Sequence, residues 1–582
     1  MLQTLGLNRN RLLGGLMLAG LAVLVWLSLH LVSTRLYQVD ECCNIRGAYL
    51  VASNPAGDYA GVDLFQRLLA QLMSNGGRAV DLFVSGRFLM AEVFWLNLIL
   101  LAAATGEKLL SRRGLFALLG AATITPLWDY GFEIRHDNLL LTGLLVSWCV
   151  LKVYPAGLQS YALAGIAAAA MLSLASKAPA YVLPLTLVFL VAPPPQHRSP
   201  RWKLALAWLV GAALAASAIH WFEHRTGSPN AQAGGLQSLA RMTTTTSTRF
   251  APWETLARLL GQTPLLLALG AAALWQMGAT LKHEGRLALR WHGNLPEAGL
   301  CLVTLAVLFV NPTPYPYNLV LFAPFLFLLA CRYLFVLWDN QKSPVWLPLG
   351  LALLIFGHLG PFASATARHL QYPNSRQEGL MRLAEDLTDP TKDPVFDGAG
   401  LVPTRPVISE DSFLHGTTIH RFRSQQGPHF RDLLTARPAA VIIPNGRTDW
   451  LPPEDHAYIR EHYVTVSDDL LVLGKVLPPG GGALEILHPG RYRISTLAGS
   501  DLAGSYREAV QGLYLQQEEE GKLAGALDGQ SLDSQVVELT AGTHQLRCDP
   551  LSQPAVVWVG PRLDRIHRFG AGDHTQVFVN WY

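Results

Sequence analysis

About eleven apolar runs fill the first 363 residues of this chain, and no other feature narrows its fold so far. The first covers residues 12–33. The others lie near 83–104, 114–130, 138–153, 158–175, 178–192, 203–221, 257–281, 297–311, 317–338 and 345–363. A helix rises about 1.5 Å per residue, so roughly twenty apolar residues cross the hydrocarbon core of a bilayer. Backbone amides find no water there, which leaves a helix bundle as the way to fold such a series. The expectation is a polytopic α-helical membrane protein.

Composition agrees with that expectation. Charged residues make up 15% of the chain and hydrophobic ones 50%, where a soluble domain carries about 25% charge. A formal net charge of +3 gives no general case for nucleic-acid binding. Six cysteines in 582 residues are too few for a disulfide framework. Cys42 and Cys43 are adjacent and pair badly with each other, while Cys149, Cys301 and Cys331 sit in apolar runs as small packing residues.

The first run is long for a cleaved signal peptide and reads as a retained anchor, with Arg9 and Arg11 in the cytoplasm. The inner loops then hold Lys108, Arg112 and Arg113, next Arg198, Arg201 and Lys203, and next Lys282, Arg286 and Arg290. These are the basic loops, as the positive-inside rule requires. The outer set holds Asp40 and Glu41, the loop 129–137, the Thr-rich loop 222–256, "NPTPYPYN" (311–318) and everything after about residue 364. An odd number of spans puts the first loop and the C-terminal region on the same outer side.

Beyond residue 364 the composition becomes that of a soluble protein. Residues 375–388 and 451–462 have helical patterning, and "AAVIIP" (439–444) and "LLVLGKV" (470–476) read as buried strands. That predicts an α/β unit over 364–476. "VLPPGGG" (476–482) is a linker. Short alternating runs follow, "RYRI", "VVELTAGTHQL" and "AVVWVG" among them, and predict a β-sandwich over 483–582. No internal repeat stands out, only the low-complexity "TTTTST" at 243–248.

Charges at the edge of a membrane are costly and read by default as functional. Asp40 and Glu41 follow the first run, Arg87 lies near the outer end of the second, Arg135 and Asp137 flank the fourth, and Lys177 opens the sixth. All of them gather on the outer side. Carboxylates beside cations suit a reaction on a lipid phosphate, one carboxylate taking a proton and the cations neutralising the departing phosphate. The plainer readings stay open: an acidic pair as a solvated cap, Arg87 and Lys177 as snorkelling cations, Arg135 and Asp137 as a structural pair, and Glu92 as a partner for Arg87. His220 and His224 stand at i,i+4, a spacing that can bind metal, with no third ligand evident.

A resemblance joins these residues. "VDECCNIRGAYLV" (39–51) resembles the Asp-Glu-bearing first outer loop of the polyprenyl-phosphate-sugar-dependent GT-C glycosyltransferases, the broad class of protein O-mannosyltransferases and lipid A aminoarabinose transferases. "VSGRFLM" (84–90), "FEIRHDNLLL" (132–141) and "ASKAPAYVLP" (175–184) resemble the Arg, Arg-x-Asp and Lys stretches of that class. "PTPYPYNLVLFAP" (312–324) resembles a Tyr/Pro-rich start of a later span in its bacterial members. The match runs in order through roughly the first 360 residues. It implies Asp40 as catalytic base with Glu41 as a second carboxylate, and Arg87, Arg135 and Lys177 as ligands of the donor phosphate. Asp137, Tyr315 and Tyr317 would support the site. "CCN" after the acidic pair departs from the usual continuation, and the C-terminal extension is not universal in the class.

The expected architecture is therefore a GT-C-like transmembrane domain over 1–363 with extracytoplasmic domains over 364–476 and 483–582. The expected function is hexosyl or pentosyl transfer from a polyprenyl-phosphate sugar to an extracytoplasmic glycan, lipid or protein. The expected place is a bacterial inner membrane, with the C-terminal region periplasmic. The alternative is a non-enzymatic transporter or polysaccharide-export subunit with an extracytoplasmic binding domain. A transporter wants ionisable groups or broken helices near the midplane, and the charges here gather at one face. No cofactor is required by the sequence, and a divalent metal is left open.

Overall fold

Apolar runs of this length become helices because each backbone amide is satisfied within its own segment. The computed structural model describes residues 9–54, 64–73, 77–153, 157–175, 177–191, 199–225, 252–284, 295–310, 315–340, 354–408, 413–414, 416–424, 428–467, 470–497, 525–532, 536–560 and 577–578. The helices among them are α1 (Arg9–Thr34), α2 (Val39–Ser53), α3 (Leu64–Leu72), α4 (Ala79–Ala104), α5 (Arg112–Ala122), α6 (Thr125–Tyr130), α7 (His136–Trp148) and α8 (Leu158–Leu174). They continue as α9 (Pro179–Val191), α10 (Arg201–Arg225), α11 (Pro252–Gln262), α12 (Pro264–Glu284), α13 (Leu295–Val310) and α14 (Leu319–Asn340). Last come α15 (Gly360–Gln371), α16 (Ser375–Leu387), α17 (Gly416–Arg423), α18 (Phe430–Ala436) and α19 (Pro453–His462).

Four of the described helical segments are long and apolar enough to cross a membrane: Leu13–Thr34, Ala79–Ala104, Arg201–Phe222 and Pro316–Asp339. A fifth is added if Trp253–Gln262 and Pro264–Thr280, which meet at 98°, form one broken span. The chain is thus multi-pass by length and composition. The apolar runs outnumber these helices because a helix buried inside a bundle needs the same composition as one that faces lipid. The run 114–130 splits into α5 and α6, and every residue of α6 is buried. The run 138–153 closes in a π-turn at Cys149–Val153. Part of the last run, 345–353, lies outside the described residues.

Small residues set the closest helix pairing. A Cβ at Gly165 would overlap the Trp208 carbonyl, and one at Gly211 the Ala162 carbonyl, so α8 and α10 approach backbone to backbone.

The C-terminal end of α1 and the N-terminal end of α4 lie at the same end of the bundle as the rest of the fold. Strands β1 (Val395–Phe396), β2 (Val441–Ile442), β4 (Leu470–Val476), β11 (Gln553–Trp558), β6 (Gly490–Leu497) and β9 (Val536–Leu539) form one sheet in that order, and β3 (Tyr463–Ser467) also pairs with β4. A second sheet runs β5 (Gly481–Ile486), β10 (Gly542–Cys548), β7 (Gly525–Leu527), β8 (Gln530–Ser531). The first sheet crosses the linker expected at 476–482, with Gly474 opposite Val557 and Val476 opposite Ala555. Strands on both sides of that linker therefore share one sheet. The run "VVELTAGTHQL" divides between the two sheets, β9 in one and β10 in the other, at Gly542 with its φ of +133°.

One apolar core holds Ile45, Ala48 and Phe83 of the first loop and α4 together with Leu380 of α16, Val441 of β2 and Val556 of β11. The segment after α1 and the C-terminal region share one packed core.

Candidate active site

Asp40 and Glu41 open α2, and the helix start sends them in different directions. Glu41 is the third residue of the helix and turns back on its own start, accepting the Gln38 N–H at 2.8 Å. Its other partner is Arg87 of α4, whose Nε and Nη2 reach it at 2.8 and 2.6 Å. The Ile134 N–H adds a bond at 3.2 Å. Arg87 also donates to the carbonyls of Arg35 (2.5 Å) and Leu36 (2.6 Å) and lies over the Tyr37 ring. Both side chains are closed off, 0% exposed for Glu41 and 1% for Arg87. Burial pushes the Glu41 carboxyl up, and the Arg87 guanidinium with its hydrogen bonds overcomes that and holds it below the usual carboxylate value. The partner of Arg87 is Glu41, 46 positions away, rather than Glu92, which is exposed.

Asp40 faces outward at 44% exposure and contacts the guanidinium of Arg135, which is only 5% exposed. Arg135 caps the start of α7, and its Nε reaches Asp137 in the first turn at 3.2 Å. Asp137 also meets the ammonium of Lys177, just before α9. Lys177 donates to the Asn318 side chain at 2.9 Å, and Asn318 donates to the Tyr315 carbonyl at 3.1 Å. The Tyr/Pro-rich segment closes the floor: the Arg135 guanidinium sits 3.6 Å above the Tyr317 ring, the Lys177 ammonium 5.1 Å away, and Tyr315 stacks on Tyr317 at 5.5 Å. Cations over an aromatic face hold their charge in place without neutralising it.

Of the residues singled out in the sequence, the structure brings Asp40, Arg135, Asp137, Lys177, Tyr315 and Tyr317 together. It sets Glu41 and Arg87 apart as a separate closed pair, 0% and 1% exposed, with Glu41 next to Asp40 on α2. Asn318 escaped attention although it ends "NPTPYPYN". A second buried pair, Arg35 with Glu133 at 2.6 Å, also escaped, although Glu133 belongs to "FEIRHDN". Among the described residues no three His, Cys, Asp or Glu side chains gather to hold a metal ion. His220 is exposed on α10, and the His224 side chain lies outside the described residues.

No protein-family model matches the sequence, and no curated protein matches it. Solved structures do. ArnT from Cupriavidus metallidurans in the apo state aligns at a TM-score of 0.51 with 13% identity, over 79% of this chain and 97% of ArnT. The same protein bound to undecaprenyl phosphate aligns at 0.51 with 13% identity, over 79% and 98%. The Archaeoglobus fulgidus oligosaccharyltransferase in complex with Zn and sulfate aligns at 0.44 with 13% identity, over 76% and 71%. The chain has a GT-C-like fold.

Proposed function

We propose that this protein is an integral-membrane glycosyltransferase that moves a sugar from a polyprenyl-phosphate donor to an acceptor on the outer face of the membrane. One observation carries the reading: a half-exposed carboxylate, Asp40, touches the first of two cations, Arg135 and Lys177, which share Asp137 and the face of Tyr317. ArnT, whose fold this chain resembles, has been crystallised with undecaprenyl phosphate, which supports a lipid phosphate as the donor's leaving group.

In this reading the donor phosphate binds Arg135 and Lys177. It competes with Asp40 for Arg135, and so frees the carboxylate for the acceptor. Asp40 takes the proton of the acceptor hydroxyl as the oxygen attacks the anomeric carbon. The bond from that carbon to the phosphate oxygen breaks, and polyprenyl phosphate leaves with its new charge held by the two cations. A single displacement inverts the anomeric centre. Glu41 and Arg87 are positioning residues, fixing the start of α2 so that Asp40 meets the cations.

Purified protein in detergent, given undecaprenyl-phosphate sugar and extracted cell-envelope acceptor, tests the reading. Release of undecaprenyl phosphate with a glycosylated acceptor is expected. Uptake of substrate into proteoliposomes without turnover would overturn it in favour of transport.

A further inference from the structure

The C-terminal region brings an aromatic–cation pair to the same edge of the molecule as Asp40. Arg447 and Trp450 lie in the loop after β2, with the Arg447 guanidinium 4.7 Å from the centre of the Trp450 ring. The loop is rigidly tied: Asn445 donates to the carbonyls of Asp397 (2.7 Å) and Ile443 (3.0 Å), and its own N–H meets the Thr448 hydroxyl at 2.8 Å. Arg447 donates to the Leu414 carbonyl at 2.9 Å, and the Leu414 N–H reaches Gly398 at 2.9 Å. That neighbouring segment rests on α2. Gly400 has a φ of +83°, and a Cβ there would stand 3.1 Å from Arg46 Cδ and 3.5 Å from the Cys42 carbonyl. Arg46 lies six positions after Asp40 on the same helix.

The pair also reaches the tyrosines of the site. Burial raises the Tyr315 phenol and Asp40 raises it further, while Arg447 pulls it back, so Tyr315 lies within the field of both groups. Beside Trp450, α17 buries Ile419 and Phe422 and exposes His420, Arg421 and Arg423. Arg423 donates to the Trp450 carbonyl at 2.8 and 3.1 Å. Asp449 is the acidic side chain of this loop, and it too is exposed. Trp450 remains 37% exposed on a surface where cations predominate.

An indole face stacks on the C–H face of a sugar ring, and a guanidinium grips a carboxylate or phosphate through two parallel N–H bonds. We propose that Trp450 and Arg447 form the acceptor subsite, and that it takes a glycan whose sugar, next to the reacting hydroxyl, carries a carboxylate or phosphate. The inference rests on the glycosyl-transfer reading and names its acceptor class. Trp450 and Arg447 are positioning residues: their contact with the acceptor presents its hydroxyl to Asp40.

Fluorescence polarisation with the full-length protein in phosphatidylcholine nanodiscs tests this. The probes are labelled tetraglucuronate, maltotetraose and maltotetraose 6-phosphate, with undecaprenyl phosphate binding measured on the same wild-type sample. The wild type should bind the carboxylated and phosphorylated probes about tenfold or more tightly than the neutral one, as charge-assisted bonds to a guanidinium predict. Arg447→Gln should erase that preference. Trp450→Ala, at a surface position, should weaken all three probes, and Trp450→Phe should restore most of the loss. Equal binding of charged and neutral probes by the wild type, or wild-type affinities in Trp450→Ala, would overturn the proposal. So would loss of the charge preference when phosphatidylglycerol replaces phosphatidylcholine, which would assign the patch to lipid headgroups. A wild type that binds undecaprenyl phosphate yet treats the probes alike leaves the donor reading standing. One that binds no undecaprenyl phosphate removes both.

Discussion

Asp40 and Glu41 are neighbours in sequence and differ in most of what decides a carboxylate's chemistry. Asp40→Asn removes the proposed base at a half-exposed position, so the protein should fold and insert while turnover falls by about 10²-fold or more, the usual worth of general-base catalysis. Steady-state release of undecaprenyl phosphate measures it, and unchanged turnover would take Asp40 out of the mechanism. Arg87→Ala should act on stability instead. It leaves Glu41 charged, buried and unpaired, a loss of about 3–5 kcal/mol, visible as a lower melting temperature in detergent. The double variant Arg87→Met, Glu41→Gln should regain part of it; if Arg87→Lys kept full stability and lost donor affinity, Arg87 would be a phosphate ligand after all. Glu133 gives a pH signature. Burial pushes its carboxyl from 4.5 up to about 7, against the pull of Arg35. Its folded value lies above its unfolded one, so the folded state holds the extra proton between those values, and this contribution to stability falls as pH rises through that window. Glu133→Gln should therefore flatten the decline in melting temperature between about pH 5 and 7.5; an equal decline in both proteins refutes the shift.

Helix starts explain much of what could be read from the sequence. Short motifs at apolar runs marked the starts of α7, α9 and α14, whereas the loop expected after the first run is itself a helix, α2. The polar residues of these elements meet because all four begin at one end of the bundle. What could not be read was which polar group closes on which. Arg87 and Arg135 look alike beside their apolar runs, and both are buried. Yet one finds the closed carboxylate of Glu41, 46 positions away, while the other finds the half-exposed carboxylate of Asp40. The order of strands was equally hidden, since pairing of β4 with β11 joins segments some eighty residues apart and leaves no local pattern. The orientation of these elements in a membrane is testable directly. In a cysteine-free background, Lys392→Cys, exposed between α16 and β1, should react with an impermeant thiol reagent on intact spheroplasts, and Leu110→Cys, exposed before α5, should react after permeabilisation alone. The reverse pattern would put the proposed site on the cytoplasmic face.

At the scale of the whole molecule, the segment after α1 and the C-terminal region form one packed piece rather than modules added to a helix bundle. A chain ended at residue 476 would strip β4 of β11 and open the core shared by Ile45, Leu380 and Val556. Both donor hydrolysis by water and transfer to the acceptor should then disappear together, with aggregation on size-exclusion chromatography; a monodisperse truncated protein that still hydrolyses donor would separate the two regions. The tie is visible in one side chain. Gln377 bonds the Tyr37 N–H and carbonyl at 2.7 and 2.9 Å and also the carbonyl of Val577, 200 positions later, at 2.7 Å. Tyr37 in turn lies under Arg87. During synthesis the first loop emerges among the earliest segments, yet the clamp that fixes it waits for residues near Val577 to leave the ribosome. Interrupted translation would thus leave a membrane-inserted chain whose first loop lacks the tie from Gln377 to the Val577 carbonyl.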